Sequence, residues 1–474
     1  MSQWDRIATI AADVEAGTVK AADLVERALK TIDDKKSFNA VLATLPERAR
    51  ARAKEIDERV AKGEKIGQLA GVPFIAKDNF LVFGAETTAA SNILKGFEAP
   101  YQATAINKLE AAGAICVGKA NLDAFAHGGS TENSDFMITK NPHDAERVPG
   151  GSSGGSAAAV ILELAPFAVG SDTGGSIRQP ASFCGAVGLK PTYGLVSRSG
   201  IVAMASSTDV VGPLTRTVED AALVLDVMAG KDELDGTAID RDTESYTHLT
   251  SDLKGKKVGI IKEYMGEGLN PAVKTQIEST VARFKEAGVE VVELSLPSLP
   301  LALACYYIIC PAEISSNLSR YDGQHYGYSA EAAKNLDDSY NYSRSEGFGK
   351  EAKRRIIIGT YVLSSGYYDA YYKKAQQLRT KLIREFEAAF DQVDFLAGPV
   401  APTTAFKIGE NAGDPLQMYL QDIMTVAVSL VGIPAVSVPA GVVQNLPVGL
   451  QLMAPQKHDR DLLALAHKLE ELQS

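Results

Sequence analysis

At 474 residues, 45% hydrophobic and 23% charged, the chain has globular composition and length enough for a large core. Its net charge of −11 argues against broad nucleic-acid binding through its own field. No run approaches the roughly 20 apolar residues of a membrane span, and Met1-Ser-Gln-Trp-Asp-Arg lacks a signal-peptide core, so a cytoplasmic location is expected.

In chain order, residues 7–65 read as helical, with Thr18 able to cap the segment from Val19 to Lys30. Residues 46–63, rich in Ala, Arg, Glu and Lys, favour a solvated helix. The texture changes at Gly71-Val-Pro-Phe-Ile-Ala-Lys77-Asp78-Asn79, a short apolar strand ending in a lysine. Residues 102–118 give a helix and then a strand, followed by polar loops at 119–123 and 128–134. Residues 220–228 read as an apolar helix and 231–256 as an acidic surface excursion. A strand–helix–strand unit spans residues 256–294, a tyrosine-rich helical region 305–380, and strands return near 395–404 and 433–439. An amphipathic helix over 461–472 closes the chain. Cys116, Cys184, Cys305 and Cys310 lie far apart or inside apolar runs, as buried thiols of a reducing compartment do, and without zinc spacing.

The most informative stretch is residues 149–180. Pro149-Gly-Gly-Ser152-Ser153-Gly-Gly-Ser156 leads into an Ala-rich helix expected to start at a Ser156 N-cap. The strand-like Ala165-Pro-Phe-Ala-Val-Gly then leads into Ser171-Asp172-Thr173-Gly174-Gly175-Ser176-Ile-Arg178-Gln-Pro180. A phosphate-binding loop would need Lys-Ser/Thr after its last glycine, where Ser156-Ala157 stands. A dinucleotide loop would need a strand before it, where residues 140–149 are polar. Two serine-bearing loops joined by one helix–strand unit suit nucleophilic catalysis instead.

A serine nucleophile needs a base. Only His127 and His143 of the six histidines lie near this stretch in sequence, so a Ser-His-Asp arrangement is the weaker reading. A desolvated lysine can be neutral near pH 7 and accept a proton, and the strand-end Lys77 is placed for that. A bridging serine could relay the proton, and the Asp172–Ser176 turn could supply N–H groups to an oxyanion. The chemistry inferred is acyl transfer. No His/Cys/carboxylate cluster has ligand spacing, so no metal is expected for it.

Pro149 to Ala159, Gly170 to Pro180 and Gly71 to Asn79 together resemble the amidase signature family, over essentially the whole chain. That resemblance implies a Ser–cis-Ser–Lys triad: Ser176 as nucleophile, Ser152 as bridge and Lys77 as base. The oxyanion hole would be formed at Thr173, Gly174 and Gly175. It implies an α/β fold, a mixed central β-sheet covered by helices on both faces. One large domain over residues 1–474 is expected, with a helical N-terminal arm of about 1–65 packed on it.

Further stretches, among them Asn121 to Ala126, Gly212 to Asp220 and Ser343 to Gly349, resemble the glutaminase subunits of tRNA-dependent amidotransferases. The resemblance implies glutamine as substrate, with its carboxylate on Arg355, its ammonium on Asp422 and Tyr307 nearby, Tyr306 being the alternative. It also implies B and C partner subunits in a heterotrimer and aminoacyl-tRNA bound through the B subunit. ATP and Mg would be used by the complex, and no cofactor by this chain. Glu-tRNA(Gln) and Asp-tRNA(Asn) both remain open as acceptors. A stand-alone amidase is the alternative function, and a catalytically silent scaffold a third. The sequence departs from the subunit pattern at Ala124, at His127-Gly128-Gly129 and at Thr208-Asp209-Val210, positions expected to lie away from the triad.

Overall fold

The register of two neighbouring strands fixes where Lys77 meets the serine loops. In the computed structural model, which describes residues 3–249 and 253–473, Pro73–Lys77 pairs in parallel with Phe167–Asp172, Phe74 opposite Phe167. Those two rings stack at 5.2 Å, an aromatic cross-strand pair of the kind that pins register. With Ala76 opposite Val169 in that register, Lys77 ends its strand where its side chain reaches Ser171.

These are strands β2 and β4 of one mixed sheet. The others are β1 (Val41–Thr44), β3 (Ile115–Ala120), β5 (Val187–Lys190), β6 (Val210–Thr215), β7 (Lys257–Ile261), β8 (Glu290–Leu294), β9 (Phe395–Pro399), β10 (Ala435–Val443) and β11 (Leu446–Met453). Their order across the sheet is β1-β3-β2-β4-β6-β5-β10-β11-β9-β7-β8. β2 runs parallel to both β3 and β4, β7 to both β8 and β9, and the remaining pairings are antiparallel. Every residue of β2, β3, β4, β5, β6, β9 and β11 is buried, the continuous apolar pattern of strands covered on two sides.

The N-terminal region departs from the all-helical expectation. Helices Ile7–Glu15, Ala21–Asp34 and Pro46–Ala61 form, but β1 lies between the last two and pairs antiparallel with β3 at the sheet edge. Thr18 does not cap: its hydroxyl turns back to the Asp13 carbonyl, and the Asp57 carboxylate takes the N–H groups of Ala21 and Ala22 instead. A carboxylate from the next helix thus fills the role, satisfying two orphan donors at once. The Ser156 cap is also corrected. Helix Gly154–Ile161 starts three residues earlier, after Ser153, and the Ser156 hydroxyl reaches the Val169 carbonyl of β4 at 3.2 Å. Helix Val218–Met228 is capped by the Thr217 hydroxyl, and Pro271–Glu286 by the Asn270 side chain with Pro at its first turn.

One expectation on composition needs correcting. Leu299–Arg320 is long and apolar enough to cross a membrane, although only by length and composition. Half of it is buried within the protein, its main helix packs against Lys350–Leu363, Lys373–Phe390 and Val426–Val431, and Pro311 interrupts its hydrogen-bond ladder. That is the setting of a core helix.

Candidate active site

Lys77 is completely buried, and its Nζ lies 2.8 Å from Ser152 Oγ, 2.9 Å from Ser153 Oγ and 2.9 Å from Ser171 Oγ. The Ser171 carbonyl stands at 3.3 Å and its hydroxyl also accepts from Asn79 Nδ2. Burial penalises the ammonium and pulls its pKa down to about 7, although the buried carboxylates of Asp123, Asp172 and Asp209 oppose the shift. The Gly151–Ser152 peptide is cis. Ser176 follows the glycine turn and is 8% exposed. Its carbonyl accepts from Ser153 N–H at 3.0 Å, which ties the two serine loops together. Its hydroxyl has no hydrogen-bond partner among the described residues, Ser152 included.

The turn before Ser176 is organised by Asp172. Its carboxylate takes Gly175 N–H (2.9 Å), Ile177 N–H (3.1 Å) and a bidentate pair from Arg178. Burial alone would raise the Asp172 pKa, but the Arg178 guanidinium overrides it and holds the group below the usual carboxylate range. Arg178 also donates to the Thr425 carbonyl, Gln451 and Ser429, anchoring the turn to β11 and to Val426–Val431. Gly175, at φ +136, occupies backbone space that side chains avoid, and a Cβ there would strike Thr425. Because its N–H is already taken by Asp172, Gly175 does not offer the oxyanion donor expected of it. The N–H groups of Thr173, Gly174 and Ser176 have no acceptor among the described residues. Asp209 receives the Thr173 hydroxyl at 2.7 Å, holding the turn from behind.

A cavity of about 240 Å³ is bounded in part by Asp123, His127, Ser130, Glu351, Arg355 and Tyr419; no residue of the turn and none of Lys77, Ser152 and Ser176 lines it. Arg355 is buried, its Nε donating to Glu351 at 2.8 Å. Its guanidinium carbon stands 5.4 Å from the Tyr307 ring and 5.6 Å from that of Tyr419. Those rings stack at 4.0 Å, and the Tyr307 hydroxyl donates to Asp422 at 2.8 Å. Burial raises the Asp422 pKa to about 7, with the Tyr307 hydroxyl and the Arg355 charge opposing. Arg355, Tyr307 and Asp422 are thus brought together. Tyr306 stands edge-on to Tyr307, ring centroids 5.2 Å apart, and reaches from there to the glycine turn, 2.6 Å from where a Gly174 Cβ would be.

The positions that depart from the subunit pattern are not remote. His127 bounds the cavity, fully buried with neither ring nitrogen paired among the described residues, and burial together with Arg355 pushes its pKa well below the ordinary value. Gly129 faces Asp422, whose Oδ1 would lie 3.5 Å from a Cβ there. Val210 pairs with Asp172 in the sheet. Sequence reasoning also missed Ser153, Ser171, Asp123, Arg178, Glu351 and Tyr419. Ser153, Ser171 and Arg178 lie inside the singled-out stretch 149–180 and Asp123 inside Asn121 to Ala126, which were usable signals; nothing local marks Glu351 or Tyr419.

A sequence model of the Amidase family matches residues 23–463. The chain is 52% identical over 455 residues to the A subunit of glutamyl-tRNA(Gln) amidotransferase from Geobacillus thermodenitrificans (strain NG80-2), covering 96% of this chain and 94% of that protein. The crystal structure of the Thermotoga maritima protein of the same name matches with TM-score 0.80 and 40% identity over 95% of this chain and 91% of that one. A native peptide amidase from Stenotrophomonas maltophilia matches as well in shape, at TM-score 0.81, with 29% identity over 98% and 96% of the two chains. Shape therefore does not separate these activities, and sequence does.

Proposed function

The chain belongs to the amidase signature family, and on that premise we propose that it hydrolyses glutamine as the ammonia-supplying subunit of a tRNA-dependent amidotransferase. Identity of about half to the A subunits of such amidotransferases favours this over a stand-alone amidase. The observation that carries the chemistry is the buried Lys77 amine, hydrogen-bonded to Ser152 and flanked by two further hydroxyls.

In this mechanism neutral Lys77 accepts the Ser152 hydroxyl proton as Ser152 accepts that of Ser176. The freed Ser176 oxygen attacks the side-chain amide carbon of glutamine. Negative charge gathers on the amide oxygen, which the N–H groups of Thr173, Gly174 and Ser176 stabilise. The proton returns through Ser152 to the departing nitrogen, and ammonia leaves behind a γ-glutamyl ester on Ser176. Water, deprotonated along the same relay, then releases glutamate. Arg355 holds the substrate carboxylate through a charge-assisted contact, and Asp422 holds the ammonium beside Tyr307.

Ammonia passes to a B subunit that binds the aminoacyl-tRNA and uses ATP and Mg, with a C subunit completing a heterotrimer. Glu-tRNA(Gln) is the acceptor that the relatives' name favours. Four buried free cysteines support a reducing, cytoplasmic setting. The test is glutaminase activity of the purified chain with and without its B and C partners and charged tRNA. Turnover rising on assembly supports the reading, whereas partner-independent hydrolysis of many carboxamides with no preference for glutamine refutes it.

A further inference from the structure

We propose that Glu351 is a positioning residue for substrate recognition: its carboxylate sets which edge of Arg355 meets the substrate and locks the Tyr419–Tyr307 pair that carries Asp422. This rests on the glutaminase reading above and extends it to the residue that orients the amino-acid site.

Glu351 sits one helical turn before Arg355 on Lys350–Leu363, so the two side chains share a face. Its Oε1 accepts from two cavity residues at once, Arg355 Nε at 2.8 Å and the Tyr419 hydroxyl at 2.9 Å. The other oxygen is held by Arg354. From Tyr419 the connection continues through the stacked Tyr307 ring to its hydroxyl and Asp422. Arg355 lies against both rings and completes a circuit of five side chains.

A guanidinium can clasp a carboxylate through its Nε–Nη edge or its Nη–Nη edge. With Nε committed to Glu351, and neither terminal nitrogen hydrogen-bonded among the described residues, only the Nη–Nη edge is open. Glu351 thus selects the docking edge. Being negative, it also weakens raw attraction for the substrate carboxylate, so its contribution is orientation rather than charge. The same oxygen fixes the tilt of Tyr419, and so couples the carboxylate half of the site to the ammonium half.

Kinetics of the full chain, assembled with its partners, test this with L-glutamine and butanamide, which lacks both α-substituents. Glu351→Ala is expected to raise KM for glutamine about tenfold, the loss of one well-oriented charge-assisted contact, with kcat changed less than roughly threefold. Selectivity for glutamine over butanamide should fall in parallel. Glu351→Gln keeps an oxygen for Arg355 and Tyr419 and should restore most of the loss. Added to Arg355→Ala, Glu351→Ala should cost clearly less than the roughly tenfold it costs alone, because the part that acts through Arg355 is already lost and only the part through Tyr419 remains. If Glu351→Ala fails to fold, Tyr419→Phe, which removes only the hydroxyl, should shift KM the same way. Equal losses on both substrates, an unchanged glutamine KM, or full additivity with Arg355→Ala overturns the proposal. Arg355→Ala with unaltered selectivity would sink the carboxylate site, and this inference with it; a selectivity loss in Arg355→Ala but not in Glu351→Ala sinks this inference alone.

Discussion

A lysine in water keeps its proton far above neutral pH, and a lysine that keeps its proton is no base. Burial brings Lys77 down to about 7, so its neutral form dominates above that value and is lost as pH falls through it. Asp422 moves the other way, raised to about 7 by burial, and it must be ionised to hold an ammonium. Both groups therefore lose their working form on the acid side of about pH 7. For glutamine, log kcat/KM should fall with a slope near two below that pH, and for butanamide with a slope near one. Equal slopes would remove Asp422 from substrate binding. His127 supports a second expectation. Two unpaired ring nitrogens in a buried site cost about 1–3 kcal/mol apiece, so His127→Met should raise the unfolding free energy measured in urea. A loss of stability would mean that the imidazole has a partner in solution.

At the scale of elements, the proposed amino-acid site depends on how closely two helices approach. Lys350–Leu363 crosses Ala302–Asn317 where a Cβ on Gly359 would collide with the Pro311 carbonyl. One turn earlier on each helix stand Arg355 and Tyr307, so the spacing that Gly359 permits is the spacing at which those side chains meet. Gly359→Ala forces the helices apart, an overpacking change that typically costs about 1–3 kcal/mol. A lower Tm with a higher glutamine KM is expected, and an unchanged KM would detach the crossing from the site. The gathering of Lys77 with the serine loops was legible in the sequence because its parts are local: a strand-end lysine and two serine loops around one helix–strand unit. Glu351 and Tyr419 were not, since their contact spans 68 residues and each looks like ordinary surface chemistry alone. β1 was hidden because its four residues sit between strong helix formers and gain their strand partner only from β3.

At the scale of the molecule, Lys77 ends β2 and the turn bearing Ser176 follows β4, the third and fourth strands from the β1 edge, whereas the proposed substrate-reading residues come from two helices and the turn at Asp422, far along the chain. Ser176→Ala and Lys77→Ala should each reduce glutamine hydrolysis by at least about 10³-fold, because members of such a unit fail together. A Lys77→Ala protein that retains near-normal turnover would show that the proton leaves by another route. The shape shared with a peptide amidase does not itself select a substrate, and under the proposed function glutamine is singled out by Arg355, Asp422 and their supports. The covalent step is tested most directly by mass spectrometry of protein quenched during turnover of L-glutamine. A γ-glutamyl ester should appear on the peptide bearing Ser176, and be absent from Ser176→Ala and Lys77→Ala. Wild-type protein that turns over glutamine with the acyl group on Ser152 instead, or Ser176→Ala that turns over normally, would contradict Ser176 as the nucleophile.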